Sequence, residues 1–260
     1  MQGRRHYEMD KKWMGNIEVN VLHTNEAIAA MTDKLKAYDK ANVFFLNDHC
    51  YNLAQKDNEY LNLLNSSEFL LNDGIGIEIG AKMFGFSFKE NLNGTDFIPA
   101  LFNKLKSHKD RQYNVYLLGA KPGVAEAALH RLQQQFPHLN FVGEQHGYFD
   151  SGSVADVIAD INDKQTDILL VGLGMPIQEK WIAENRERLN CTLAFAVGAF
   201  LDFSSGNVTR APAFFRKLRL EWLYRMLKEP KRLWKRNLVG HVEFFYYVLK
   251  NRKRKMPAAG

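Results

Sequence analysis

The chain has 260 residues, 46% hydrophobic and 25% charged, an ordinary globular composition with length for one large core. Two cysteines, Cys50 and Cys191, are too few for a disulfide framework or a zinc site, and no run of about 18 apolar residues offers a transmembrane helix. The net charge of +6 divides unevenly: residues 210–260 carry fifteen Lys/Arg and three Glu, a balance of +12, and the rest carries 20 against 26, or −6. A mildly acidic body with a strongly basic tail predicts contact with an anionic surface, nucleic acid or membrane. The N-terminus, "MQGRRHYEMDKKWMG", is polar and lacks the apolar stretch of a signal peptide; with two cysteines, a reducing cytoplasmic setting is expected.

In chain order, six short apolar runs read as buried strands: Asn42–Asn47, Glu68–Asp73, Tyr113–Gly119, Leu139–Gly143, Asp167–Gly174 and Thr192–Gly198. Helical patterns occupy Ala54–Asn65, Gly94–Lys106, Val124–Gln135, Ser153–Asn162 and Gln178–Asn190, and another follows Asp73-Gly74 in "FLLNDGIGIEIGAKMFG". Continuous apolar strands with helical crossovers predict an α/β fold, a mostly parallel sheet covered by helices on both faces. After Gly206 the pattern changes. From Ala211 the chain is helical in propensity, interleaves aromatics and leucines with cations, and is divided by Pro230. The predicted organisation is a core over 1–208 and a basic amphipathic appendage over 209–260.

Ligands of open α/β sheets bind outside the carboxyl ends of the strands. The strand ends here carry Gly or polar residues. "LLGAKPGV" is strand, glycine turn and helix start, with backbone N–H groups able to receive a phosphate; it matches neither the GxGxxG nor the Walker A pattern, which disfavours a nicotinamide enzyme or a P-loop NTPase. "VGLGMPIQEKW" ends a strand and opens a helix; Gly172 and Gly174 permit close approach of a ligand, and the Gln178 amide can serve sugar hydroxyls. Glu179 and Lys180, in the same first turn, can face the crevice or solvent, and Lys180 reads as solvated. Asp73 and Asp202 stand where strands end, and each reads equally as a cap or turn former. His49 and His146 follow strand ends and can face the crevice. No HxxxH, HExxH or DxD spacing appears, so no metal site is expected.

Taken together the segments resemble the WecG/TagA/CpsF glycosyltransferases, glycosyltransferase family 26. The resemblance rests on "NDGIGIEIGAKMFG", "NGTDF", "VYLLGAKPGVAEAA", "HGYF", "DILLVGLGMPIQEKWI", "VGAFLDFSSGNVTRAP" and "LEWLYRMLKEPKR", in the family's order over about residues 40–236. It implies a Rossmann-like fold and an inverting, metal-independent transfer from a UDP-sugar to a sugar on a polyprenyl diphosphate. It names glucose, N-acetylmannosamine and its uronic acid as donors, in cell-wall or exopolysaccharide synthesis. Asp73 matches the family's proposed general base. Asn47, Asn93, Thr95, Gly119, Lys121, Gly174, Gln178 and Asp202 match or adjoin its donor- and acceptor-binding segments. Arg225 and Arg232 match basic positions of a C-terminal appendage that docks on the membrane, with Trp222, Tyr224 and Trp234 suited to the lipid interface. A peripheral place on the cytoplasmic face of the bacterial inner membrane follows, and a homo-oligomer is compatible with it. Two positions depart from the family: Phe45-Leu46-Asn47 replaces Thr-Pro-Asn, and Asn91 stands where many members carry Arg. The competing reading, from another class, is a basic-tailed nucleic-acid-binding protein on the same core. No nucleic-acid motif supports it.

Overall fold

The computed structural model describes residues 9–108, 110–212, 214–215, 224 and 239–253. Two antiparallel strands, β1 (Lys11–Met14) and β2 (Ile17–Asn20), form a hairpin turned at Gly15, and helix α1 (Thr24–Ala37) leads into the main sheet. That sheet has six parallel strands: β3 (Ala41–Leu46), β4 (Phe69–Asn72), β5 (Asn114–Gly119), β6 (Asn140–Gln145), β7 (Ile168–Gly172) and β8 (Leu193–Ala196). Their spatial order is β4-β3-β8-β7-β5-β6.

Apart from the edge strand β6, the strands read as continuous apolar runs because both faces are buried. Val43, Phe45, Leu117, Leu170 and Phe195 point to one face, packed by α1, α5 (Gly94–Leu105), α6 (Val124–Gln135) and α9 (Phe200–Ser205). Their neighbours Phe44, Leu46, Leu118, Leu169 and Ala194 point to the other. There they meet α2 (Asp48–Ala54), α3 (Asn58–Asn65), α4 (Ile75–Met83), α7 (Val154–Asp163) and α8 (Ile177–Asn185). This is the Rossmann-like α/β arrangement that the strand pattern predicts.

The helix expected over 54–65 is α3, which begins only at Asn58, and a further helix, α2, precedes it. Asn47 Oδ1 accepts from the Cys50 N–H at 3.0 Å, which starts α2 earlier, and Asp57 Oδ1 accepts from the Tyr60 N–H at 3.0 Å, which starts α3 anew. Each capping side chain fixes where its helix begins.

The last described helix, α10 (Gly240–Arg252), lies within the segment read as an appendage, yet it packs on α2 and α4. Phe244 and Val248 are fully buried in the second core, and Phe244 stacks edge-on against Tyr51 at 5.3 Å. Polar contacts follow the seam: Asn52 donates to the Gly240 carbonyl at 2.8 Å, and Asn251 donates to the Tyr51 hydroxyl at 3.1 Å and to Gln55 at 2.8 Å. Among the described residues, no helix is long and apolar enough to cross a membrane.

Candidate active site

A cleft of about 1300 Å³ opens at the carboxyl ends of the strands. The β3 end contributes Asn47, Asp48 and His49; the β4 end contributes Asp73, Gly74 and Gly76. The β5 end brings Ala120 and Lys121, and the β7 and β8 ends bring Gly172–Met175 and Ala196–Ala199. Asn91, Asn93, Thr95 and Asp96 close one side, Asp202 another, and Gly240 and His241 of α10 reach in from the end of the chain.

Asp73 stands one residue past β4, half-buried on the cleft surface. Its backbone N–H still donates to the Leu46 carbonyl at 2.8 Å, so the ladder holds the residue up to the point where the chain turns. Gly74 then takes a φ of +100°, in the region that favours glycine, and becomes the N-cap of α4. Its N–H donates to Asn91 Oδ1 at 3.0 Å. Asn91, the residue in place of the family's arginine, thus pins the turn that carries Asp73. Gly76 makes room beside it: a side chain there would collide with the Asp48 carboxylate. Asp48 in turn lies 2.6 Å from His241 Nδ1.

Other expected residues reach the cleft with part of their chemistry already spent. Asn47 caps α2. Asn93 caps α5, accepting from the Asp96 N–H at 3.1 Å and donating to Asp96 Oδ2 at 2.9 Å. Asp96 also pairs with Arg210 at 2.8 Å. Thr95 and Asp202 are half-buried on the surface and Lys121 is exposed. His49 lines the cleft; His146 does not, and its Nδ1 accepts from the Tyr148 N–H at 3.2 Å.

Two expected residues lie outside the cleft lining. Gly119 is buried with a φ of +134°, and a Cβ there would strike the Gly172 backbone. The glycine serves the close approach of β5 and β7 and does not face the cleft. Gln178 is only 1% exposed. Its Oε1 accepts from the Gly198 N–H at 3.0 Å and the Gly174 N–H at 3.2 Å, and its Nε2 donates to Glu179 Oε1 at 2.7 Å. The amide lies beneath the cleft with its hydrogen bonds committed.

Glu179, in the same first turn, is 1% exposed. Burial pushes its carboxyl up to about 7, against the pull of the Gln178 amide, its own backbone N–H and the Tyr60 hydroxyl. Lys180, its neighbour, points away and pairs with Asp57 at 2.8 Å. Asp48, His241 and Glu179 are the residues that sequence reasoning missed. Asp48 adjoins the flagged Asn47, whereas His241 is 193 positions away from its partner and gives no local signal. Arg225 and Arg232, with Trp222 and Trp234, lie outside the described residues. No group of three or more His, Cys, Asp or Glu side chains is arranged to hold a metal ion among the described residues.

The site therefore combines carboxylates, two exposed lysines, Lys89 and Lys121, and two glycine loops at the mouth of a Rossmann-like sheet, an arrangement suited to an anionic nucleotide and a hydroxyl-bearing acceptor. The model of the "Glycosyl transferase WecG/TagA/CpsF family" matches residues 13–258. An N-acetylglucosaminyldiphosphoundecaprenol N-acetyl-beta-D-mannosaminyltransferase of Staphylococcus aureus (strain MW2) is 30% identical over 90% of this chain and 92% of its own length. A protein of the same name from Bacillus subtilis (strain 168) is 34% identical over 78% of this chain and 76% of its own length. The chain belongs to the WecG/TagA/CpsF family of glycosyl transferases.

Proposed function

We propose that the protein is an inverting transferase that moves a sugar from a UDP-sugar to a sugar carried on a polyprenyl diphosphate, with Asp73 as general base. The observation that carries this reading is Asp73 on the surface of a cleft lined from the ends of β3, β4, β5, β7 and β8. In the reaction the acceptor hydroxyl oxygen attacks C1 of the donor sugar from the face opposite the diphosphate. The new C1–O bond forms as the bond to UDP breaks, the hydroxyl proton passes to the Asp73 carboxylate, and UDP leaves as an anion. A carboxylate at a strand end, held by the ladder on one side and Asn91 on the other, keeps its distance from a substrate bound across the strand ends.

Lys121 is a cation of the cleft lining that would offset diphosphate charge, along with Lys89, which pairs with Glu26 at 3.0 Å, and Asp202 on the same surface would meet the base or ribose. Single-ligand sites usually hold roughly 300–1,000 Å³; a cleft of about 1300 Å³ leaves space for donor and acceptor together. The names of the relatives favour N-acetylmannosamine as the sugar and N-acetylglucosamine as the acceptor sugar. Glucose remains in the panel because Asn91 is neutral where many members carry a cation. The reading is metal-independent and places the protein on the cytoplasmic face of the bacterial inner membrane through its basic segment. A nucleic-acid-binding role draws no support from the family.

The test is UDP release from a panel of UDP-sugars, with short-chain polyprenyl diphosphate sugars as acceptors, lipid vesicles and EDTA present. Release from one donor, dependent on acceptor and lost in Asp73→Asn, supports reaction, donor and base together. Release unaffected by Asp73→Asn overturns the base. Release abolished by EDTA and restored by a divalent ion overturns metal independence.

A further inference from the structure

We propose that Glu179 is a positioning residue: by holding the Nε2 end of Gln178, it makes the Oε1 end clamp the β7 and β8 loops into the shape that binds the donor nucleotide. The proposal deepens the donor half of the reading above and takes the ligand's identity from it.

A glutamine amide is nearly symmetric in shape and opposite in chemistry at its two ends. Gln178 Oε1 faces two backbone donors, the N–H groups of Gly174 and Gly198. Rotated by half a turn, the amide would set an NH₂ group against two N–H groups, and both would be buried without an acceptor. The choice is enforced from the far end. Glu179 Oε1 accepts from Nε2 at 2.7 Å, whether or not the second oxygen carries a proton.

Both clamped residues lie on the cleft surface with positive φ, +83° at Gly174 and +53° at Gly198, and open space stands where a side chain would project from either. A ligand can therefore come against bare backbone at two neighbouring strand ends. The chain of contacts also runs on. The Tyr60 hydroxyl acts on Glu179 and lies 3.3 Å from the Cys50 sulfur, and the Cys50 N–H donates to Asn47 at the opposite side of the cleft. A buried carboxylate is costly for stability, and an apolar residue would fill the same place at lower cost. Its retention here is explained by the orientation it imposes.

The experiment uses the full chain at pH 8 and measures UDP affinity by calorimetry beside the thermal melt. Glu179→Leu removes the acceptor and should weaken UDP binding about tenfold, while Glu179→Gln keeps an acceptor and should stay within about threefold. Gln178→Glu sets two carboxylates together and should also lose about tenfold. The exchanged pair, Gln178→Glu with Glu179→Gln, restores a donor facing an acceptor and should return to within about threefold of the unaltered protein. Glu179→Leu binding UDP unchanged, or the exchanged pair no better than Gln178→Glu alone, overturns the proposal. If Glu179→Leu does not fold, the comparison of Gln178→Glu with the exchanged pair decides. If the unaltered protein does not bind UDP, the donor reading fails, and amide hydrogen exchange at Gly174 and Gly198 takes over. Slow exchange in the unaltered protein and the exchanged pair, with fast exchange in Gln178→Glu, then supports the clamp; equal rates overturn it.

Discussion

The two sides of the cleft are built by opposite means. On the β3/β4 side, side chains face the opening: Asp48, His49 and Asp73, fixed by contacts that reach to Asn91 and to α10. On the β7/β8 side, the surface is mainly backbone and small residues, held from below by a single buried amide. The difference teaches a division of labour. Bare backbone suits recognition of a rigid, charged nucleotide, where close approach matters most. Carboxylates suit the moving proton, where an ionisable group is needed. The first side depends on residues far apart in sequence; the second is nearly complete within residues 172–198.

The strongest way to break that comparison is Asp73→Asn. It should lower kcat by about 100- to 10,000-fold with UDP affinity near that of the unaltered protein. A parallel loss of UDP affinity would show that the two sides are not separate. Next is Phe244→Ala, which removes a fully buried ring that joins α10 to α2. It should cost about 3–5 kcal/mol in chemical denaturation; a cost below about 1 kcal/mol would mean that α10 sits loosely and does not brace the β3/β4 side.

The third prediction concerns pH. The Glu179 carboxyl titrates near 7 in the folded protein against 4.5 when unperturbed, so the folded state binds the extra proton between those values. The group's contribution to stability is therefore level below about pH 4.5, falls as pH rises to about 7, and is level again above it. Glu179→Gln should remove that fall, as read by denaturation midpoints across pH 4–8. An unchanged slope would place its origin elsewhere. The smallest effect is the coupling of Asp48 and His241. A double-mutant cycle with Asp48→Asn and His241→Gln should give about 1 kcal/mol. Zero coupling would remove α10 from the account of the cleft.

How much of this was legible in the sequence follows from range. The main-sheet strands are readable because most are buried on both faces and end in Gly or a polar residue; the edge strand β6, buried only at Phe141, is marked by its short apolar run before Gly143. Asp73, Lys121, Gly174 and Asp202 reach the cleft for the same reason: the carboxyl end of a parallel strand is a place that local pattern can name. The pattern does not say which face of a helix turns inward. Gln178 reads as a residue facing the ligand and Glu179 as part of a first turn that can face the crevice or solvent, yet both are buried: the glycine loops leave N–H groups beneath the cleft that need an acceptor. Asn47 and Asn93 show the converse, since their place in the cleft was visible and their commitment to helix caps was not. The β1–β2 hairpin and α1 went unread, although Ala27, Ile28, Met31 and Leu35 keep helical spacing. The Asp48–His241 contact has no local trace at all.

The docking of α10 bears on how the molecule is made. Asp48 leaves the ribosome 193 residues before His241. At roughly 5–20 residues per second the interval is roughly 10–40 seconds. During that time the apolar surfaces of α2 and α4 have no lid, and the hollow around Met14, Tyr51 and Gly80 waits for Phe244. The nascent chain is then a natural client for a chaperone, and its cleft lacks one of its rims. Shortening the chain to strip its basic end reproduces that unfinished state. A truncated protein that fails to work or to stay in solution would report a missing piece of core before it reported anything about membranes, so charge-reversing substitutions are the cleaner way to probe the basic segment.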